Sequence, residues 1–227
     1  EKVRHLQYML AVLSEYIPQI PPLNVDGIFG RETLDAVLAA QKYFDLPETG
    51  IVNAANITIS NTTKSDMNGI EAKSGSKMTV TGAITITNSG KRGLNNAGEV
   101  KAASLTIDGF GENGIQNAGT LEISGAITIS NGIGNGHGVY NSKTFTAGSL
   151  SISNVKRNGI NNAGDLTVTG AISVKNAVQG GIGNSKNITA GSVTIDTVTA
   201  GPGINNSGTF TVAGLTAVQN ITGTDVS

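Results

Sequence analysis

The stretch Gly159-Ile160-Asn161-Asn162-Ala163-Gly164-Asp165-Leu166-Thr167-Val168-Thr169-Gly170-Ala171-Ile172-Ser173-Val174-Lys175-Asn176-Ala177 carries the plan of most of this chain. A small residue and an aliphatic one open it. Asn, Ala and Gly then make a turn. Two runs follow in which Leu166 and Val168, then Ile172 and Val174, alternate with Thr, Ser and Lys. Alternation with period two is the mark of a strand with one buried face. The opening pair recurs at Gly69-Ile70, Gly93-Leu94, Gly114-Ile115, Gly138-Val139, Gly181-Ile182 and Gly203-Ile204, a period of about 22 residues.

Two further apolar stations repeat with it. The second holds Met78/Val80, Val100, Leu121/Ile123, Phe145, Leu166/Val168, Ile188 and Phe210/Val212. The third holds Ile84/Ile86, Leu105/Ile107, Ile127/Ile129, Leu150/Ile152, Ile172/Val174, Val193/Ile195 and Leu215. Three short strands per unit separated by Gly/Asn turns describe one coil of a parallel β-helix. Such a coil buries its inner face only by stacking on its neighbours. The fold class is therefore mainly β: a right-handed parallel β-helix of about seven coils, with a small α-helical unit ahead of it. Seven rungs give a rod of about 34 Å. Val-Thr-Gly-Ala-Ile alternates with Ala-Gly-Ser-Leu, which suggests a two-coil unit of about 45 residues.

Asn96, Asn117, Asn141, Asn162, Asn184 and Asn206 fall in one column, where stacked amides can hydrogen-bond from rung to rung. A second column holds Asn61, Asn88, Asn131, Asn154, Asn176 and Asn220, interrupted by Gly109 and Thr197.

Composition divides the chain into residues 1–52 and 53–227. The first part holds four of the five Pro, eleven of the 31 charges and only three of the 31 Gly. Val3, Leu6, Leu10, Leu13 and Ile17 form one stripe of an amphipathic helix, which Pro18, Pro21 and Pro22 end. A second helix runs from Thr33 to Phe44. Between them Val25-Asp26-Gly27-Ile28-Phe29-Gly30 is a tight turn in which Asp26 caps backbone N–H groups and Phe29 plugs a core. Leu46-Pro47-Glu48-Thr49-Gly50 is a second turn.

Leu6-Gln7, Leu10, Asp26-Gly27-Ile28-Phe29-Gly30, Thr33, Ala36-Val37, Gln41, Leu46 and Thr49-Gly50-Ile51-Val52 resemble the peptidoglycan-binding-like domain of bacterial cell-wall proteins. The resemblance implies a three-helix unit, peptidoglycan or another surface glycan as partner, and Asp26, Phe29, Arg31 and Gln41 as candidate ligand residues. The third helix should follow Val52, yet Ile57-Thr58-Ile59-Ser60 alternates like a strand, so the unit reads as truncated. Its other use is to cover the open first rung of the β-helix. The repeats are similar to those of bacterial surface proteins and adhesins.

The chain has no Cys, a formal net charge of -1 and 14% charged residues. These exclude disulfides and thiolate metal sites, and offer no electrostatic footprint for nucleic acid or an anionic membrane. No apolar run is long enough to cross a bilayer. In the β-helix, Asp108 and Asp196 share a column but lie four rungs apart, about 19 Å. Glu99 and Asp165 lie three rungs apart, about 14 Å. Neither pair can flank one glycosidic bond. Glu122 lies one rung from Lys101 as a surface ion pair. His137 stands without metal-ligating companions. Gly132 to Gly136 precedes no helix, so it lacks the amides of a phosphate site. Lys91-Arg92 and Lys156-Arg157 sit at matching corners as solvated cations.

The expectation is a non-enzymatic surface or cell-wall rod, extracellular or in the cell wall, with no metal or cofactor. The alternatives are a phage tail-fibre or spike piece, which would trimerise, and a polysaccharide lyase or hydrolase of the β-helix class. Thr216 to Ser227 offers no helix to cover the last rung, so end-to-end association is also expected, unless the chain is a fragment.

Overall fold

The computed structural model describes residues 2–44 and 52–223. The turn expected at Leu46–Gly50 and the last four residues lie outside that range. Two α-helices, α1 (Lys2–Tyr16) and α2 (Arg31–Tyr43), precede a β-solenoid of about seven turns. Every strand pairing is parallel, which a coil of this kind requires.

Two sheets wrap one core. A seven-stranded sheet stacks the short strands, from Ile70–Ala72 through Ile115–Asn117 to Ile204–Asn206. The other sheet stacks long strands such as Lys77–Ser89, Glu99–Phe110 and Asp165–Ala177. The second and third apolar stations are thus halves of one bent strand, not separate strands. They join because the ladder resumes after a local shift of register. Between Val80 and Ile84 three residues intervene, but only two lie between their partners Ala102 and Leu105. The next coil has three again, between Ile123 and Ile127. This alternation continues through Val168/Ile172 against Ala190/Val193. The two-coil unit therefore has a backbone cause: every other rung carries one extra residue at the bend, a β-bulge.

Inward residues are enclosed along the whole axis. Ile115 and Ile160 are fully buried, and Ile204 in the last rung is 6% exposed. Gly138 shows how closely the rungs approach: a Cβ there would lie 2.7 Å from the Gly159 carbonyl oxygen and 2.5 Å from Ile152 Cγ2. Only glycine fits that column.

A further inward station follows the second Asn column. It holds Ser89, Phe110, Gly132, Val155, Ala177 and Val198, all buried. Phe110 fits because its neighbours are small. A Cβ on Gly132 would reach within 2.8 Å of its ring. Phe110 is therefore a core residue. Leu215 does not occupy the third station. Val193 pairs with Thr216 and Ile195 with Val218, because the last coil also carries the extra residue at its bend. Leu215 falls one position early and is exposed.

The helices close the first rung. Phe29 and Leu34 are buried in the same cluster as Ile57, Ile59, Ile70 and Met78. Val3 and Leu6 of α1 pack against that cluster, while Leu10, Ile17, Ile20 and Ala36 form a second small core. In place of a third helix the chain runs into Val52–Ala54 and Ile57–Ser60. These pair with Met78–Val80 and Ile84–Thr87 as the first solenoid strands.

Candidate functional site

The turn Asp26–Gly30 is held by a residue of α1. Gln7 is 1% exposed, and its Nε2 lies 2.8 Å from Asp26 Oδ1, 2.8 Å from the Ile28 carbonyl and 3.0 Å from Thr33 Oγ1. Its Oε1 accepts the Gly27 N–H at 2.7 Å. Asp26 Oδ1 also accepts the Ile28 N–H at 2.8 Å. Gly27 takes φ +82, which a side chain would strain. Gln7, not assigned a role from the sequence, is thus the knot that ties α1 to the turn.

The four candidate ligand residues are not gathered. Asp26 is engaged in the turn, and Phe29 is buried against the first rung. Arg31 is paired with Asp35 at 3.6 Å and approaches Glu71 at 4.0 Å. Gln41 lies on the same helix ten residues on, about 15 Å along the axis. Among the exposed residues of α1, beside the charged Lys2, Arg4 and Glu15, are Tyr8 and Tyr16, flanked by Met9 and Val12.

The first Asn column is a continuous hydrogen-bond ladder, and the second is a continuous backbone corner. In the first, each Nδ2 donates to the next Oδ1, from Asn96 to Asn206, at 2.7 or 2.8 Å. Each also donates to backbone carbonyls at the turn, as Asn162 does to Gly164 and Asn187. In the second, the Asn residues adopt left-handed φ between 53 and 58, and Gly109 and Thr197 share that conformation at 76 and 64. These two do not break the corner. Where they replace Asn, the preceding Asp108 or Asp196 supplies the acceptor, taking the amide of Asn131 at 2.7 Å or Asn220 at 2.6 Å.

The carboxylates fall as the register requires. Asp108 and Asp196 are four rungs apart, and Glu99 and Asp165 three. Lys101 Nζ lies 3.0 Å from both Glu99 and Glu122, so these two carboxylates are separated by at most twice that distance. A glycosidase acid needs a raised pKa. The hydrogen bond from Lys101 instead holds Glu99 below the usual carboxylate range. Both groups remain substantially exposed. Among the described residues no three His, Asp or Glu side chains cluster closely enough to hold a metal ion.

His137 is buried at 7% exposure, and its Nδ1 has no partner among the described residues. Burial, then the nearby Arg157 charge, push its pKa from 6.5 down to about 4, with the Asn158 backbone partly offsetting this. The unfolded chain binds a proton near 6.5 and the folded chain only near 4. Stability from this residue is therefore complete above pH 6.5 and falls as pH drops toward 4. The loss at acid pH amounts to about 3 kcal/mol at ~1.4 kcal/mol per unit. Urea midpoints from pH 7 to 4 should fall in the native chain and flatten in His137→Gln; an unchanged slope in that variant would place the acid sensitivity elsewhere.

The architecture defines a class: a parallel β-solenoid whose first coil is closed by a two-helix unit built around a Gln-tied Asp-Gly turn. The family described as "Putative peptidoglycan binding domain" matches residues 1–58, covering both helices and running into the first coil. Comparison with curated proteins and with solved structures gives no match. No described helix is long and apolar enough to cross a membrane.

Proposed function

We propose that the protein is a non-enzymatic rod associated with the bacterial cell wall, its helical unit both closing the solenoid and docking on peptidoglycan. The observation that carries this reading is the family match at residues 1–58, on a unit whose exposed face presents aromatic rings. Tyr8 and Tyr16 are exposed and pair an apolar ring with a polar hydroxyl, which suits docking on a surface that is apolar on one side and wet on the other. A structural role rather than catalysis is supported by the rungs that separate Asp108 from Asp196 and Glu99 from Asp165. It is supported also by the Lys101 hydrogen bond that holds the Glu99 carboxyl below the usual carboxylate range, where a glycosidase acid needs a raised pKa. The rod would hold this unit at a fixed distance from whatever lies at the other end, outside the cell membrane.

Sedimentation with purified sacculi tests docking. The full chain should pellet with sacculi and not with cellulose. The double variant Tyr8→Ala/Tyr16→Ala should lose retention roughly tenfold, about 0.7 kcal/mol per ring. Equal retention on cellulose, or retention indifferent to both substitutions, removes docking through α1.

A further inference from the structure

Five Asn-Gly pairs occur in the chain: Asn68-Gly69, Asn113-Gly114, Asn131-Gly132, Asn135-Gly136 and Asn158-Gly159. Such a pair carries its own chemistry. The backbone nitrogen of the glycine can attack the side-chain carbonyl carbon of the asparagine, because the glycine has no Cβ to obstruct the approach. The reaction needs an amide free to turn toward the backbone and a glycine nitrogen that is not tied to a neighbouring rung.

In four of the pairs the coil itself holds these groups. Gly69 N–H donates to the Arg92 carbonyl at 2.8 Å, and Gly114 N–H to the His137 carbonyl at 3.0 Å. Gly132 and Gly159 are buried within the strands Thr120–Gly132 and Asn158–Asn162. The amides are engaged as well. Asn113 donates to Gln116 at 2.7 Å and accepts the His137 N–H at 2.8 Å. Asn131 donates to Asp108 at 2.7 Å and accepts the Asn154 amide at 2.9 Å. Asn68 Oδ1 is enclosed, and the Asn158 side chain lies over Gly180 of the next rung.

Asn135 differs on both counts. It is exposed, in the irregular corner between the strand that ends at Gly132 and the strand Val139–Asn141. No hydrogen bond engages its side chain among the described residues. Gly136 N–H turns back to the Gly134 carbonyl at 3.1 Å, inside the same loop. The other side of Gly136 is fixed: its carbonyl accepts the Arg157 N–H at 3.1 Å, and a Cβ on it would fall 1.3 Å from the Glu112 carbonyl oxygen. The fold thus demands at 136 the one residue that leaves Asn135 open to attack.

We propose that Asn135 is a site of spontaneous deamidation through a cyclic imide with Gly136. The Gly136 nitrogen gives up its proton and bonds to Asn135 Cγ. The Cγ–Nδ2 bond breaks, and the amide nitrogen leaves as ammonia with that proton. Water then adds to one of the two imide carbonyls, and the bond from that carbon to the Gly136 nitrogen breaks, returning a proton to the nitrogen. Opening at Cγ gives aspartate. Opening at the main-chain carbonyl gives isoaspartate, linked onward through Cγ. Ammonia is lost and water gained; nothing is oxidised or reduced. The product carboxyl is ionised at neutral pH, so the formal net charge of -1 becomes one unit more negative. Isoaspartate lengthens the main chain by one carbon. Inside a rung that would break the register, but a loop with Gly134 and Gly136 on either side takes it up, and the coils on both sides stay paired.

Incubation of the full chain in mildly alkaline buffer, followed by peptide mapping with tandem mass spectrometry, tests this. Electron-transfer fragmentation separates aspartate from isoaspartate. Asn135 should convert at least roughly tenfold faster than the other four asparagines, whose reaction waits on local opening of the coil. Both products should appear. In urea the five pairs should react at similar rates, which assigns the difference to the fold. Asn135→Gln, at an exposed position, should remove the fast conversion and leave circular dichroism and melting temperature unchanged. The comparison among pairs is internal to the native chain and needs no variant. Equal rates at the five pairs in the folded protein, or aspartate without isoaspartate at 135, overturns the proposal.

Discussion

Asn162→Ala should destabilise the protein by about 4 kcal/mol, more than loss of any surface group. Asn162 Nδ2 donates to Asn184 Oδ1 at 2.8 Å, Gly164 O at 2.8 Å and Asn187 O at 2.9 Å. Its Oδ1 accepts Asn141 Nδ2 at 2.8 Å and the Gly164 N–H at 3.3 Å. The residue is fully buried. Alanine leaves several of these groups enclosed without a partner, at about 1–3 kcal/mol each where no other bond remains. Neighbouring ladder members keep second bonds, Asn141 Nδ2 donating to Lys143 O and Asn184 Oδ1 accepting the Lys186 N–H, which limits the total. Because coils couple mainly to their neighbours, the damage should be local first. Hydrogen exchange should accelerate at Ile160 and Ile182 before Leu94. A shift in the urea midpoint equivalent to less than about 1 kcal/mol would mean that the amide column contributes little.

Phe29→Ala should cost about 4 kcal/mol, the usual range for a buried ring, but the loss should be confined to one end. Phe29 and Leu34 cover Ile57, Ile59, Ile70 and Met78, the inward residues of the first coil. The pairs Arg31–Glu71 and Lys73–Asp35 cross the same junction at 4.0 and 3.7 Å. Being solvent-exposed they add under ~1 kcal/mol each, so the apolar contact decides whether the unit stays in place. A small cleft of about 20 Å³ already lies there, lined by Phe29, Leu34, Ile57 and Met78 together with the charged Arg31, Asp35, Glu71 and Lys73, and removing the ring would enlarge it. Exchange should rise at Ile57 and Ile59 and along α2, with the coil of Ile115 unchanged. Dye binding to apolar surface should appear at the same temperature. Uniform exchange across all coils would show instead that the helices and the solenoid unfold as one body.

Ile84, Ile107 and Ile172 announce the strands directly, because an aliphatic side chain at every second position has no other economical use. The Asn96 column is equally plain, since its spacing matches the coil. The inward station at Phe110 was hidden, because Ser89 and Gly132 in the same column are not apolar. Their smallness is the reason Phe110 fits. Leu215 looked like a core residue because the extra residue at the bend is invisible unless each coil is aligned to its neighbour. Gly109 and Thr197 read as gaps in an Asn column, although the requirement there is backbone conformation. The amide can be replaced once Asp108 or Asp196 offers the oxygen. Gln7 gave no local signal, since its partners lie 19 to 26 residues away.

The extra residue carried by every second rung sets the increments in which such a rod can lengthen. A wide bend, as at Thr81-Gly82-Ala83, always lies against a narrow one, as at Ala103-Ser104. Gain or loss of a single coil would bring two bends of one kind into contact. Duplication of a pair preserves the sequence of wide and narrow. Variants of this molecule should therefore differ in reach by multiples of about 9.6 Å, twice the strand spacing.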